Sequence, residues 1–156
     1  LNGMGRLLAL TPNHQVNSLV ALHFAEVFGR TEVYQLASTQ QAQQTQGADG
    51  TVPRHLRGRT LFGRAITYHD LAERIAAGGD IKVTKLSREF DYQAFTRTYG
   101  DDALPLFVIK GAGRLHVMTA EDRFVPQPGH RVVSLTRAEA EADERVAEEG
   151  AAPDLP

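Results

Sequence analysis

The chain has 156 residues, of which 42% are hydrophobic and 23% charged, with a formal net charge of -2 and no cysteine. This is the composition of a globular protein of one domain or two small ones, large enough for a core of its own. The near-neutral charge and scattered Lys and Arg exclude the electrostatic footprint of a nucleic-acid binder. The absent cysteine excludes a disulfide framework, a thiolate metal site and a cysteine nucleophile, and suits a reducing compartment.

No apolar run reaches the roughly 18 residues of a membrane span. Asn13 to Asn17 and Glu26 interrupt the longest candidate. The opening "LNGMGRLL" lacks the basic flank, apolar run and cleavage site of a secretory signal. With no initiator Met, the expectation is a fragment of a longer parent.

In chain order, "RLLAL" (6–10) reads as a strand buried on both faces, as in a parallel sheet. "TPN" follows, with Thr11 expected as N-cap, Pro12 as the first helical residue, and an apolar stripe of Val16, Leu19, Val20, His23, Phe24 and Val27. Gly29 stops this helix, and "EVYQLA" (32–37) is the next strand, so the three elements form a βαβ unit. Residues 38–55, "STQQAQQTQGADGTVPRH", offer almost no large apolar group and read as a mobile loop. "RTLFGRAI" is then a strand, and "TYHDLAERIAAGG" a helix capped by Thr67, with Asp70 three residues on and Gly78–Gly79 as its stop. "DIKVTKLS" is strand-like.

The last third has another texture. "FDYQAFTRTYG" is a short helix from the cap Asp91 to the stop Gly100, with Phe90, Phe95 and Tyr99 inward. "LPLFVIK", the turn "GAG", "RLHVMT", the turn "PQPGH" and "RVVSLT" make a hairpin and a third strand. A boundary is expected near Gly79–Asp80, giving units 1–79 and 80–136. Residues 137–156 read as an acidic, solvated tail.

Several residues invite a chemical role. A strand-to-helix junction in an open α/β sheet is where ligands bind, because the helix N-terminus offers unpaired N–H groups with partial positive charge. Thr11, Asn13 and Asn17 stand there as candidate cofactor-binding residues for a ribose or phosphate. The alternative is that Thr11 only caps and both Asn side chains are solvated. His14 and His23 lie about 13 Å apart along a helix axis at 1.5 Å per residue, too far for one ion, so no metal site is assigned. Neither "YHD" (68–70) nor Ser18, Ser87 or Ser134 sits in a G-x-S-x-G elbow, and Asp91, Asp101 and Asp102 read as a cap and a solvated loop. No catalytic residue is assigned.

"LLALTPNHQVNSLVALHFAEVFG" followed by "EVYQLA" resembles the second half of a nucleotide-binding domain of the regulator-of-potassium-conductance (RCK) type, in the version found on the cytoplasmic end of bacterial sodium/proton antiporters. "LPLFVIKGAGRLHVMT" with "PQPGHRVVSL" is similar to the companion C-terminal, TrkA-C-like sensing domain. The resemblance implies an α/β fold: a partial Rossmann-like βαβ parallel sheet, then a small α+β unit. It implies a non-enzymatic regulatory module that senses a ligand and modulates a monovalent cation/proton antiporter.

Further expectations follow from it. The module sits on the cytoplasmic side of the inner membrane, works as a homodimer and belongs to the same parent chain as a membrane antiporter domain. NAD or another nucleotide is the ligand of the intact parent. The family's G-x-G-x-x-G does not occur here, nor does the acidic residue that would hold the ribose, and His130 stands where Asp commonly follows the last Pro-Gly. A rival reading is a fragment of a nicotinamide-dependent oxidoreductase; another is a dimerisation domain that binds nothing. The unpaired apolar edge beside "RLLAL" favours two-fold pairing, and Leu7, Leu8, Val16, Leu19 and Phe24 are expected in the core.

Overall fold

The computed structural model describes residues 5–39, 58–63 and 66–137. The mobile loop expected over 38–55 and the acidic tail expected over 137–156 lie outside these, apart from Ser38, Thr39 and Arg137. By contacts the chain groups into two compact units, one of residues up to Ala72 together with Val117–Phe124, the other of Glu73–His116 and the residues from Val125.

The first unit holds a parallel three-stranded sheet in the order β1-β2-β3, with β1 Leu7–Ala9, β2 Val33–Gln35 and β3 Arg59–Thr60. Helix α1, His14–Phe28, connects β1 to β2, whose register runs Leu7 to Val33 and Ala9 to Gln35. All three β2 residues are buried, as the middle strand of a covered parallel sheet requires. The outer edge of β3 is closed by a later segment: Leu61 bridges Thr119 antiparallel, Phe62 N–H donates to the Met118 carbonyl and Ala120 N–H to that of Thr60. The edge of β1 is unpaired among the described residues.

Two expectations for α1 fail. The cap is Asn13, not Thr11: its Oδ1 accepts from Gln15 N–H at 3.0 Å and Val16 N–H at 3.2 Å, and the helix starts at His14. Asn13 sits one residue before the helix, in the extended conformation a cap needs; Thr11 is two residues too early. The apolar stripe is also turned outward. Asn17 and Ala21 are the buried residues of α1, whereas Leu19 is 68% and Val16 43% exposed, and Leu7, Leu8 and Phe24 are only half-buried. The small Ala21 faces the tight strand backbone, where a Cβ on Gly58 would come within 3.1 Å of the Val33 carbonyl oxygen and 3.4 Å of the Ala21 methyl.

Helix α2, Tyr68–Ala76, opens with the expected capping box. Thr67 N–H and Oγ1 both donate to the Asp70 carboxylate, and Asp70 N–H donates back to Thr67 Oγ1. It closes in a Schellman motif: Gly78, at φ +88°, donates to the Ile75 carbonyl and Gly79 to that of Arg74.

The second unit is an antiparallel sheet in the order β4-β7-β5-β6, with β4 Ile81–Lys85, β5 Ala103–Ile109, β6 Leu115–Val117 and β7 Arg131–Thr136. The hairpin β5–β6 and the inserted β7 follow the expected strands. A register shift between Pro105 and Phe107 absorbs the missing donor of Pro105. Helix α3, Tyr92–Tyr99, runs from the Asp91 cap to Gly100, and its Phe95 is fully buried with Leu86, Ala103 and Val132. Tyr92 and Tyr99 flank Phe95 with ring centroids at 5.8 and 5.1 Å. Burial pushes the Tyr92 hydroxyl pKa up. Ser134 Oγ is buried with no partner among the described residues.

The tightest backbone approach predicts the most sensitive glycine. A Cβ on Gly79 would lie 2.4 Å from the Thr136 carbonyl oxygen and 2.6 Å from that of Arg74. Gly79→Ala is therefore expected to destabilise the chain by about 1–3 kcal/mol in urea unfolding, through overpacking. An unchanged midpoint would show that the α2–β4 corner yields freely.

Candidate functional site

The residues singled out from the sequence meet at the carboxyl end of β1. Thr11 follows the strand, Asn13 caps α1, and Asn17 lies one turn into the helix on its buried side, 2% exposed. Asn17 clasps Thr11 in both directions: its Nδ2 donates to the Thr11 carbonyl at 2.9 Å, and its Oδ1 accepts from Thr11 N–H at 3.1 Å. The Thr11 hydroxyl adds a 2.6 Å bond to Asn17 Oδ1, with the Asn13 carbonyl 3.1 Å away as the other acceptor within its reach.

This arrangement decides what the junction can offer. Asn17 is buried and uses its Oδ1 and an Nδ2 N–H to hold the loop, so its role is to position. Asn13 is exposed, and its Oδ1 occupies two of the helix-terminal N–H groups that an anion would use. A phosphate oxygen could replace it there, since an anionic acceptor makes the stronger bond. Thr11, also exposed, would line that position.

The other chemically interesting groups are elsewhere. A shallow, open cleft of about 520 Å³ is lined by Gly5, Arg6 and Glu32. It lies at the amino ends of β1 and β2, opposite to the ligand-binding edge of an α/β sheet. Arg6 Nε and Glu32 Oε2 close on each other there at 2.8 Å. Among the described residues no cluster of three or more His, Asp or Glu could hold a metal ion, and no helix is long and apolar enough to cross a membrane.

His130 closes the last turn of the second unit with its side chain and its backbone. Its Nδ1 accepts from Gln127 N–H at 3.0 Å, and its backbone N–H donates to the Gln127 carbonyl.

One polar group escaped the sequence reading. Arg59 of β3 lies over the Tyr34 ring at 5.5 Å, donates from Nη2 to Thr119 Oγ1 at 3.0 Å and approaches Asp122 Oδ2 at 3.8 Å. Buried Gln35 beside it accepts from Gly58 N–H. Arg59 is thus a clip between β3 and the segment closing its edge. Partners 60 residues apart leave no local signal.

Two substitutions separate positioning from presentation. Asn13→Ala removes a cap and is expected to cost about 1 kcal/mol. Asn17→Leu leaves the Thr11 N–H and carbonyl without their partner and is expected to cost more, about 2 kcal/mol. Chemical denaturation of both variants gives the order; a cheaper Asn17→Leu would mean that water replaces the clasp.

No protein-family model matches this chain, and no curated protein matches it in sequence. Among solved structures, it is similar to the crystal structure of the GsuK RCK domain, with 10% identity and a TM-score of 0.37. The likeness covers 92% of this chain and 33% of that one, so this chain spans about a third of that protein's length.

Proposed function

We propose that the chain is a non-enzymatic regulatory module of the RCK type, the cytoplasmic part of a monovalent cation/proton antiporter that works as a homodimer beneath the inner membrane. The observation that carries the reading is the succession of two unlike units. A parallel βαβ sheet presents a capped helix start at its ligand-binding edge, and an antiparallel α+β unit follows with Phe95 in its core. Each unit is built from the stretches that carry the sequence resemblance.

In this reading the exposed Thr11 and Asn13 meet part of a nucleotide, NAD or another, whose phosphate-binding half belongs to the upstream part of the fold. Asn17 holds both in place. A ligand regulates transport only by binding two conformations of the dimer unequally.

One specific observation favours a second reading, a dimerisation domain that binds nothing: Asn17 is engaged by Thr11, and the Asn13 Oδ1 by the N–H groups of Gln15 and Val16. An oxidoreductase fragment has no comparable support, since the glycine loop that cradles a dinucleotide is absent from the sequence.

Titration calorimetry of this chain with NAD and with ATP is expected to give weak binding or none, and submicromolar affinity would show that the junction has been misplaced within its fold. Repeating the titration on the parent protein separates the first two readings. Tight binding there that Asn17→Leu, which releases the Thr11 loop, weakens supports the sensor, and no binding supports the dimerisation domain. The parent reading frame is expected to encode apolar membrane spans before residue 1, and a frame without them overturns the antiporter assignment.

A further inference from the structure

Helix α1 is apolar on the side turned away from its own sheet. Opposite the buried Asn17 and Ala21 stand Val16, Leu19, Leu22 and Val27, exposed by 43%, 68%, 45% and 53%. His23 is exposed between them, and in the helix's 15 residues Glu26 is the only acidic or basic side chain other than histidine. A solvated helix face is normally charged, and a helix apolar all round is normally covered.

We propose that this face is the homodimer interface, formed by α1 packing antiparallel on α1 of a second copy about a two-fold axis near residue 21. The assignment rests on the homodimer part of the functional reading and is independent of its ligand.

A two-fold axis lets the face pair with itself, and the charge this brings to the helix ends selects a second copy as the occupant. The exposed positions 15, 16, 19, 22, 23, 26 and 27, with half-buried 20, map onto one another when the helix is reversed about residue 21. Leu19 then meets the partner's His23, Val16 meets the partner's Glu26, and Gln15 meets the partner's Val27.

The charge preference comes from the helix dipole. Helix α1 has no acidic residue in its first turn and no basic one in its last, so its own sequence leaves both ends of the helix dipole uncompensated. The reversed copy brings the Glu26 carboxylate to the first turn of the opposing helix, where partial positive charge lies. The same operation repeats the contact on the other side and closes the assembly. Small and branched side chains at spacings of three and four suit the near-antiparallel packing of two helices.

The absence of native cysteine makes the geometry directly measurable. At 1.5 Å rise per residue, two Leu19→Cys side chains would lie about 6 Å apart along the axis and two Val16→Cys about 15 Å apart. The full chain with Leu19→Cys is therefore expected to cross-link through a disulfide on mild oxidation, and Val16→Cys is not. In sedimentation, the unmodified chain is expected to approach twice the 17.1 kDa of one copy, and Leu19→Glu to stay monomeric with an unchanged circular dichroism spectrum.

A wild-type monomer at concentrations up to about 1 mM would overturn both this interface and the homodimer. A dimer that tolerates Leu19→Glu, or in which Val16→Cys links as readily as Leu19→Cys, would overturn the α1 interface alone and leave the homodimer standing.

Discussion

The first unit turns on one buried carboxamide. Asn17 exchanges two hydrogen bonds with the Thr11 backbone and accepts a third from its hydroxyl. A carboxamide taken out of water without such partners would cost several times what they contribute. The clasp therefore fixes the rotation of α1 about its axis: the face carrying Asn17 and Ala21 goes in, and the face centred on Leu19 goes out. It also ties the strand exit to the helix start, which brings Asn13 into capping position. The candidate ligand edge and the apolar outer face are two results of the same constraint.

The second unit is held by different means. An aromatic side chain, Phe95, fills the space between α3 and the sheet, with Tyr92 and Tyr99 on either side of it. The β7 strand lies between β4 and β5 and is hydrogen-bonded along both edges, so its Val132 is fully enclosed. The price of this density is visible at Ser134, whose hydroxyl is buried without a partner among the described residues.

Much of this was legible in the sequence where the signals were local. The Thr67–Asp70 box, the Asp91 cap, the Gly78–Gly79 stop and the β5–β6 hairpin each depend on a few adjacent residues whose chemistry admits few alternatives. The orientation of α1 was not legible. A spacing of three and four shows which residues share a face, but not which face meets the sheet; a lone Asn and an Ala carried that decision against five larger apolar residues. The cap was misplaced for a related reason: Thr11 and Asn13 are both good capping residues, and only the clasp on Thr11 selects between them. The three junction residues were found together because strand, cap and helix are contiguous. Arg59 was missed because Thr119 and Asp122 reach it from the far end of the chain.

The closing of β3 by Thr119 and its neighbours makes the first unit discontinuous in sequence. On the ribosome, β1, α1, β2 and β3 emerge well before the segment that seals their sheet, and most of the second unit is synthesised in between. Until then β3 carries an open edge with unsatisfied backbone groups, the kind of surface through which nascent chains misassociate. No single cut can separate the units: a chain ended after Ala72 lacks the sealing segment, and one begun at Glu73 carries it as an orphan.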